Sequence, residues 1–73
     1  MLQKRSFSLA GHRTSVALEP EFWAALAVIA AVQGVAMSAF VAQVDAARAP
    51  GQPLASALRV CALHGFGRKG GDC

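Results

Sequence analysis

The sequence predicts a mainly α-helical protein with one short β-strand, and three observations support that fold class. Residues 12–18 alternate between apolar and polar side chains, with the period of two that is typical of a strand. Two apolar runs with helical spacing follow, divided by Gly34. The chain has only 73 residues. Because a core of that size rarely contributes more than about 3–5 kcal/mol, we expect two copies to associate.

The predicted strand has one mainly apolar face and one small, polar face. The apolar face comprises Thr14, Val16 and Leu18. The polar face comprises Arg13, Ser15 and Ala17. A lone strand leaves both rows of its backbone donors and acceptors unpaired, and we identify no second strand-like run to pair with it. The expected partner is therefore the same strand of a second copy, in an intermolecular antiparallel ribbon.

Residues 1–11 precede the strand and are expected to form a basic N-terminal arm. They alternate only weakly between polar and apolar side chains, and they end at Gly11, a residue that interrupts regular structure. A short extension of the strand is the alternative. We favour a flexible arm because chain termini are seldom ordered unless something holds them. Lys4 and Arg5 make this arm basic.

The first helix is predicted at residues 20–33. Pro20 suits the first helical position because the amide hydrogen that it lacks would have no partner there, and Glu21 favours the positive end of the helix dipole. Gly34 then supplies a left-handed residue that ends a helix. The face predicted to be buried comprises Phe22, Ala25, Leu26, Ile29 and Gln33, with Ala30 and Val32 at its margins.

Two further helices are predicted, at residues 37–47 and 54–64. Residues 49–53 separate them, since two prolines and a glycine cannot continue a helix. Residues 65–73 are rich in glycine and are expected to be disordered, which leaves residues 12–64 as the folded domain. The buried sides are predicted to comprise Met37, Phe40, Val41 and Val44 in the second helix, and Leu54, Ala57, Leu58 and Cys61 in the third.

Three local motifs accompany this order of elements. They are Gly-His-Arg-Thr-Ser at residues 11–15, Leu-Glu-Pro-Glu-Phe-Trp at residues 18–23, and Ser-Ala-Leu-Arg-Val at residues 56–60. Together they resemble a bacterial ribbon-helix-helix subfamily, within the superfamily of the Arc and MetJ repressors, over about residues 5–64. The resemblance implies an intertwined homodimer whose antiparallel ribbon enters the major groove of DNA, with a third, C-terminal helix added.

The resemblance also implies which residues read DNA bases. They would be Arg13, Ser15 and Ala17, on the outward face of the strand. Arginine can form a bidentate hydrogen bond with guanine, serine can donate or accept a hydrogen bond, and alanine can contact the methyl group of thymine. Thr14, Val16 and Leu18 would face the helices instead.

A second set of residues is expected to bind DNA phosphates. At the start of the second helix, free backbone amides and the helix dipole favour an anion. Ala36 departs from the family pattern there, because it replaces a capping Ser or Thr, and loss of a cap costs about 1 kcal/mol. The expected phosphate-binding residues are Lys4, Arg5, His12, Ala36, Met37 and Ser38.

Taken together, the residues and the resemblance imply a dimeric, sequence-specific protein that binds double-stranded DNA in the cytoplasm and regulates transcription. The proteins that give the superfamily its name are repressors, but the sequence does not distinguish a repressor from an activator. The net charge of +3 per chain favours a polyanionic partner. No nucleophile motif or phosphate-binding glycine loop is present, and His12 and His64 lack a metal-ligating partner at suitable spacing. We therefore expect no catalytic residues, no cofactor and no metal site.

Three alternatives remain open at this point. Residues 22–44 carry no charged side chain and are long enough to span a bilayer, so a single-span membrane peptide competes with the dimer. The domain could also be the DNA-binding part of an antitoxin. A third possibility is a protein-interaction module that uses the neutral face of the first helix, which comprises Ala24, Ala27, Val28 and Ala31.

Overall fold

A computed structural model describes residues 1–67, which form a two-stranded antiparallel sheet and three helices. The strands are β1 (Gln3–Leu9) and β2 (His12–Leu18). The helices are α1 (Pro20–Gln33), α2 (Met37–Ala47) and α3 (Leu54–Gly67). For β2, α1 and α2 these are the bounds that the sequence predicts.

The main difference from the sequence prediction lies in residues 3–9, which form a strand and not a mobile arm. β1 pairs with β2 inside one chain, from Gln3 opposite Leu18 to Leu9 opposite His12. The expectation of one strand per chain, with no partner in the same chain, was therefore wrong. The weak alternation of residues 6–9 is a strand period, and its apolar members pack against the helices.

A two-residue turn joins the strands. Ala10 has a φ of 51° and Gly11 a φ of 82°, and two successive positive φ values are what a type I′ hairpin turn requires. Asparagine or aspartate usually occupies the first of these positions, because a residue with a Cβ is strained there. Ala10 therefore weakens the hairpin signal in the sequence, which is why β1 is difficult to predict.

The core lies between the inner side of the hairpin and the three helices. Val16 and Leu18 are buried, as predicted, and so are Phe40, Val41 and Val44 of α2. On α1 the buried face is shifted from the prediction, since Gln33 and Val32 are exposed. The largest fully buried side chains are Trp23, Phe40, Leu18, Leu26, Leu58 and Val41.

α1 and α2 meet at Gly34, which has the left-handed conformation predicted for it, with a φ of 74°. The Gly34 N–H donates to the Ala31 carbonyl and the Val35 N–H to the Ala30 carbonyl, each at 3.0 Å. These bonds satisfy carbonyls at the end of α1.

The turn at Gly34 bends α1 and α2 by 97° with respect to each other. Residues 22–44 are therefore not the single straight span that we considered from the sequence. Among residues 1–67 no single helix is long and apolar enough to cross a membrane, although α1 and α2 together meet that requirement as a bent pair.

α3 continues to Gly67 and does not end at residue 64. Its last part packs closely on α1, because a Cβ at Gly65 would collide with the side chain of Ile29. Packing between the two helices thus overrides the poor helix propensity of glycine. The predicted disorder is wrong for residues 65–67, and for residues 68–73 the prediction lies outside the described part of the chain.

An ion pair attaches α3 to the junction between β2 and α1. Arg59 donates to one carboxylate oxygen of Glu19 from Nε at 3.2 Å and from Nη2 at 3.1 Å. The Arg59 guanidinium carbon also lies 5.8 Å from the centroid of the Phe22 ring. The side chains of Arg59 and Glu19 are 35% and 42% exposed to solvent, and ion pairs with that much exposure contribute little stability.

Candidate nucleic-acid interface

The pairing register divides the hairpin into two faces, because residues opposite each other in an antiparallel pair lie on the same side of the sheet. The inner face comprises Gln3, Arg5, Phe7 and Leu9 of β1, and His12, Thr14, Val16 and Leu18 of β2. The opposite face, here called the ribbon face, comprises Lys4, Ser6 and Ser8 of β1, and Arg13, Ser15 and Ala17 of β2.

The ribbon face is open to solvent and positively charged. All of its side chains are exposed except that of Ala17, which is half-buried. Lys4 and Arg13 carry its two charges, and residues 1–18 contain no Asp or Glu. The hydroxyl oxygens of Ser6 and Ser15 are 3.1 Å apart and hydrogen-bonded across the two strands. Because the side chains between these two cations are short, a polyanion can approach the strand backbone closely.

The three residues predicted to read bases lie together on this face. Arg13, Ser15 and Ala17 alternate along β2 with residues that point into the core. Val16 is 4% exposed and Leu18 is 0% exposed. The assignment of the two strand faces made from the sequence is therefore confirmed.

Arg5, which we expected beside Lys4 on a mobile arm, lies on the inner face. Its guanidinium carbon is 4.8 Å from the centroid of the Trp23 ring, a cation–π distance. The Trp23 indole N–H donates to the Gln3 carbonyl at 2.9 Å, and the ring centroid is 6.0 Å from that of Phe7. Trp23 thus anchors β1 on α1, and Arg5 belongs to that anchor and not to the ribbon face.

The remaining expected phosphate contacts occupy two other places. His12 is exposed at the start of β2, opposite Leu9. Ala36 is the residue that precedes α2, in an extended conformation and without a side-chain cap, as the sequence predicts. Met37 is half-buried and Ser38 is exposed. The first backbone N–H groups of a helix have no intrahelical partner, which leaves this end of α2 able to accept an anion.

Ser6 and Ser8 are the residues of the ribbon face that sequence reasoning missed. The alternation of Ser6, Phe7, Ser8 and Leu9 was the available signal, and it required recognising the Ala10-Gly11 turn. Within residues 1–67 no three side chains of His, Cys, Asp or Glu lie close enough together to hold a metal ion. The chemistry that this surface offers is hydrogen bonding and charge, as in nucleic-acid recognition.

Comparison with known proteins bears on the fold. No curated protein and no solved structure matches the chain significantly. The family model of the ribbon-helix-helix domain matches residues 2–66, a range that includes both strands and all but the last residue of α3. The resemblance to ribbon-helix-helix proteins is thereby confirmed, whereas the assignment to one bacterial subfamily stays a prediction. The chain belongs to the ribbon-helix-helix domain family, a family of DNA-binding regulators of transcription.

Proposed function

We propose that this protein binds double-stranded DNA as a homodimer and regulates transcription, with the outward side chains of β2 reading bases in the major groove. One observation carries the proposal. Arg13, Ser15 and Ala17 line the exposed side of a strand whose other side is fixed by the core. Membership of a DNA-binding family supports the same conclusion.

The side chains of this row suit base recognition. Arg13 is exposed, and its planar guanidinium can donate two parallel hydrogen bonds to the O6 and N7 atoms of guanine. Ser15 can donate to or accept from any base edge, and its hydroxyl lies within hydrogen-bond distance of that of Ser6. Ala17 has no polar group, but it leaves room for the methyl group of thymine. We therefore propose that Arg13 supplies the largest part of the sequence preference.

The free edge of β2 is the proposed dimer interface. β1 is the only strand that pairs with β2 in residues 1–67. Over the same residues, no backbone hydrogen bond joins the other edge of β2 to a helix or loop. An unpaired strand edge is a template for another strand. A second copy placed there would give two adjacent β2 strands and a combined formal charge of about +6, which favours DNA.

The amino end of α2 is the proposed phosphate clamp. The backbone N–H groups of Met37 and Ser38 lie in its first turn, where no side-chain cap competes for them. The partial positive charge of a helix N-terminus adds to their attraction for a phosphate. Such contacts fix the position of a protein on the duplex and carry no sequence information.

Base reading is tested by replacing Arg13 and measuring the affinity of the variant for a DNA site that the parent protein selects from random duplexes. Arg13→Ala should cost roughly 1–3 kcal/mol of binding free energy on the preferred site and relax the preference at that base. Arg48→Ala is the matched control, because Arg48 lies at the end of α2, where it is bound to Asp45 at 2.9 Å. An Arg13→Ala variant with unchanged preference would mean that β2 does not read bases.

The test of dimer formation is sedimentation equilibrium together with melting curves over a range of protein concentrations. Because association adds stability by mass action, the Tm should rise with concentration. A monomer that melts at one temperature across this range would rule out the proposed interface.

A further inference from the structure

We infer that β1 is a second DNA-contacting strand, whose outward side chains Lys4, Ser6 and Ser8 bind the phosphates along the edge of the groove that β2 enters. This inference rests on the proposed function. The inference adds to that function a separate set of DNA contacts, which a dimer with only one strand from each chain would not make. We call these three residues the β1 strip.

The first step of the argument is the width of the sheet. Two copies joined through β2 would give a four-stranded sheet with a β1 strand at each margin. Neighbouring strands lie about 4.8 Å apart, so each β1 axis would lie roughly 7 Å from the centre of the sheet. The major groove is only about 12 Å wide. The two β2 strands therefore fit over the base edges, whereas each β1 strand comes to lie over the groove wall, where the phosphates are.

The second step is the chemistry of the β1 strip. Lys4, Ser6 and Ser8 are all exposed, and the register places them beside Ala17, Ser15 and Arg13, respectively. An ammonium group and hydroxyl groups are common phosphate ligands in DNA-binding proteins, and none of them needs a particular base. Because Ser8 lies opposite Arg13, one end of the β1 strip adjoins the proposed base reader.

The third step is rigidity. Trp23 is 1% exposed and donates its indole N–H to the Gln3 carbonyl, and its ring contacts Phe7 and lies under the Arg5 guanidinium. β1 is thus fixed on α1 at the residues immediately beside Lys4. A side chain presented on a fixed strand loses less conformational freedom on binding than one on a mobile arm.

The experiment compares two neighbouring cations on opposite faces. Lys4→Gln and Arg5→Gln each remove one positive charge per chain, and binding is titrated by fluorescence anisotropy at several salt concentrations. Lys4→Gln should reduce the slope of log affinity against log salt by about one unit for each phosphate that it no longer neutralises, hence about two for a dimer. It should weaken binding to the preferred and an unrelated duplex by the same factor. Arg5→Gln should leave the slope close to that of the parent protein.

A second pair of variants keeps the comparison possible if Arg5→Gln does not fold. Ser8→Asp adds a negative charge on the β1 strip, and Gln3→Glu adds one on the inner face of the same strand. Ser8→Asp should weaken binding to both duplexes, whereas Gln3→Glu should change it little. Melting curves of all variants identify any that are unfolded.

The outcomes separate this inference from the proposed function. Equal salt slopes for Lys4→Gln and Arg5→Gln, or equal effects of Ser8→Asp and Gln3→Glu, would overturn the role of β1 while Arg13→Ala still alters base preference. A change in base preference for Lys4→Gln would overturn the phosphate assignment. A parent protein that does not bind duplex DNA would overturn both proposals.

Discussion

The two faces of the hairpin differ in what they contribute to the protein. The inner face includes Val16 and Leu18, which are almost completely buried, and it is closed by Trp23. The ribbon face consists of small or charged side chains, and all of them except the half-buried Ala17 are exposed to solvent. Adjacent residues such as Lys4 and Arg5 therefore lie in different surroundings, Lys4 on the ribbon face and Arg5 over the Trp23 ring. The comparison teaches that stability and the proposed DNA binding should be separable by substitutions on opposite faces of this strand pair.

The largest expected effect comes from the inner face. Leu18 is fully buried, so Leu18→Ala should cost about 2–5 kcal/mol in free energy of unfolding, enough to unfold a domain of this size. Ser15→Ala on the ribbon face should stay within about 0.5 kcal/mol of the parent protein, as surface substitutions usually do. Urea denaturation followed by circular dichroism measures both. A folded Leu18→Ala variant beside an unfolded Ser15→Ala variant would reverse the assignment of the faces.

The next effect concerns the attachment of β1. Trp23→Phe removes the indole N–H that binds the Gln3 carbonyl and reduces the ring surface under Arg5. We expect a loss of about 1–2 kcal/mol, the size of a hydrogen bond and a weakened cation–π contact. Hydrogen exchange should show faster exchange in β1 than in α2. Equal acceleration in all elements would mean that Trp23 stabilises the whole core and does not specifically anchor β1.

Much of the fold can be predicted because its signals are local. The alternation of residues 12–18, Pro20 at the start of α1 and the left-handed Gly34 each depend on the residues beside them. Residues 3–9 escaped prediction because their turn carries alanine where asparagine is usual. The last turn of α3 escaped because the contact of Gly65 with Ile29 depends on how two helices cross, which no local pattern encodes.

The candidate site divides in the same way. The row of Arg13, Ser15 and Ala17 follows from the period of one strand. The place of Ser6 and Ser8 beside that row follows from the register between two strands, which is fixed only once the turn at Ala10 and Gly11 is known. Arg5 illustrates the limit, since a basic residue near the N-terminus suggests a phosphate contact until Trp23 is placed beneath it.

A smaller effect is expected at the turn that fixes the two faces in register. Ala10 has a positive φ, and asparagine or glycine adopts that conformation more readily. Ala10→Asn should therefore stabilise the protein by about 0.5–1 kcal/mol. Gly11→Ala is the opposite control, because it places a Cβ at a φ of 82° and should destabilise the hairpin. Thermal melts measure both changes in stability. A Tm lowered by Ala10→Asn would argue against the type I′ turn.

The smallest effect concerns Glu19, the residue directly after Leu18 at the end of β2. A hydrogen bond from its own backbone N–H lowers the pKa of the Glu19 carboxyl below its ordinary value of 4.5, and the Arg59 guanidinium adds to that shift. Because the pKa is lower in the folded state than in the unfolded state, the carboxylate adds stability above pH 4.5. This addition is lost as the pH falls through the folded-state pKa. Glu19→Gln should therefore reduce stability at neutral pH and make little difference in acid.

Urea midpoints at about pH 7 and about pH 3 test this expectation, since that interval includes the titration of an ordinary glutamate. The difference between Glu19→Gln and the parent protein should be larger at the higher pH. A difference that grows in acid would mean that Glu19 is stabilised as the protonated acid, and that the contact with Arg59 does not act as an ion pair.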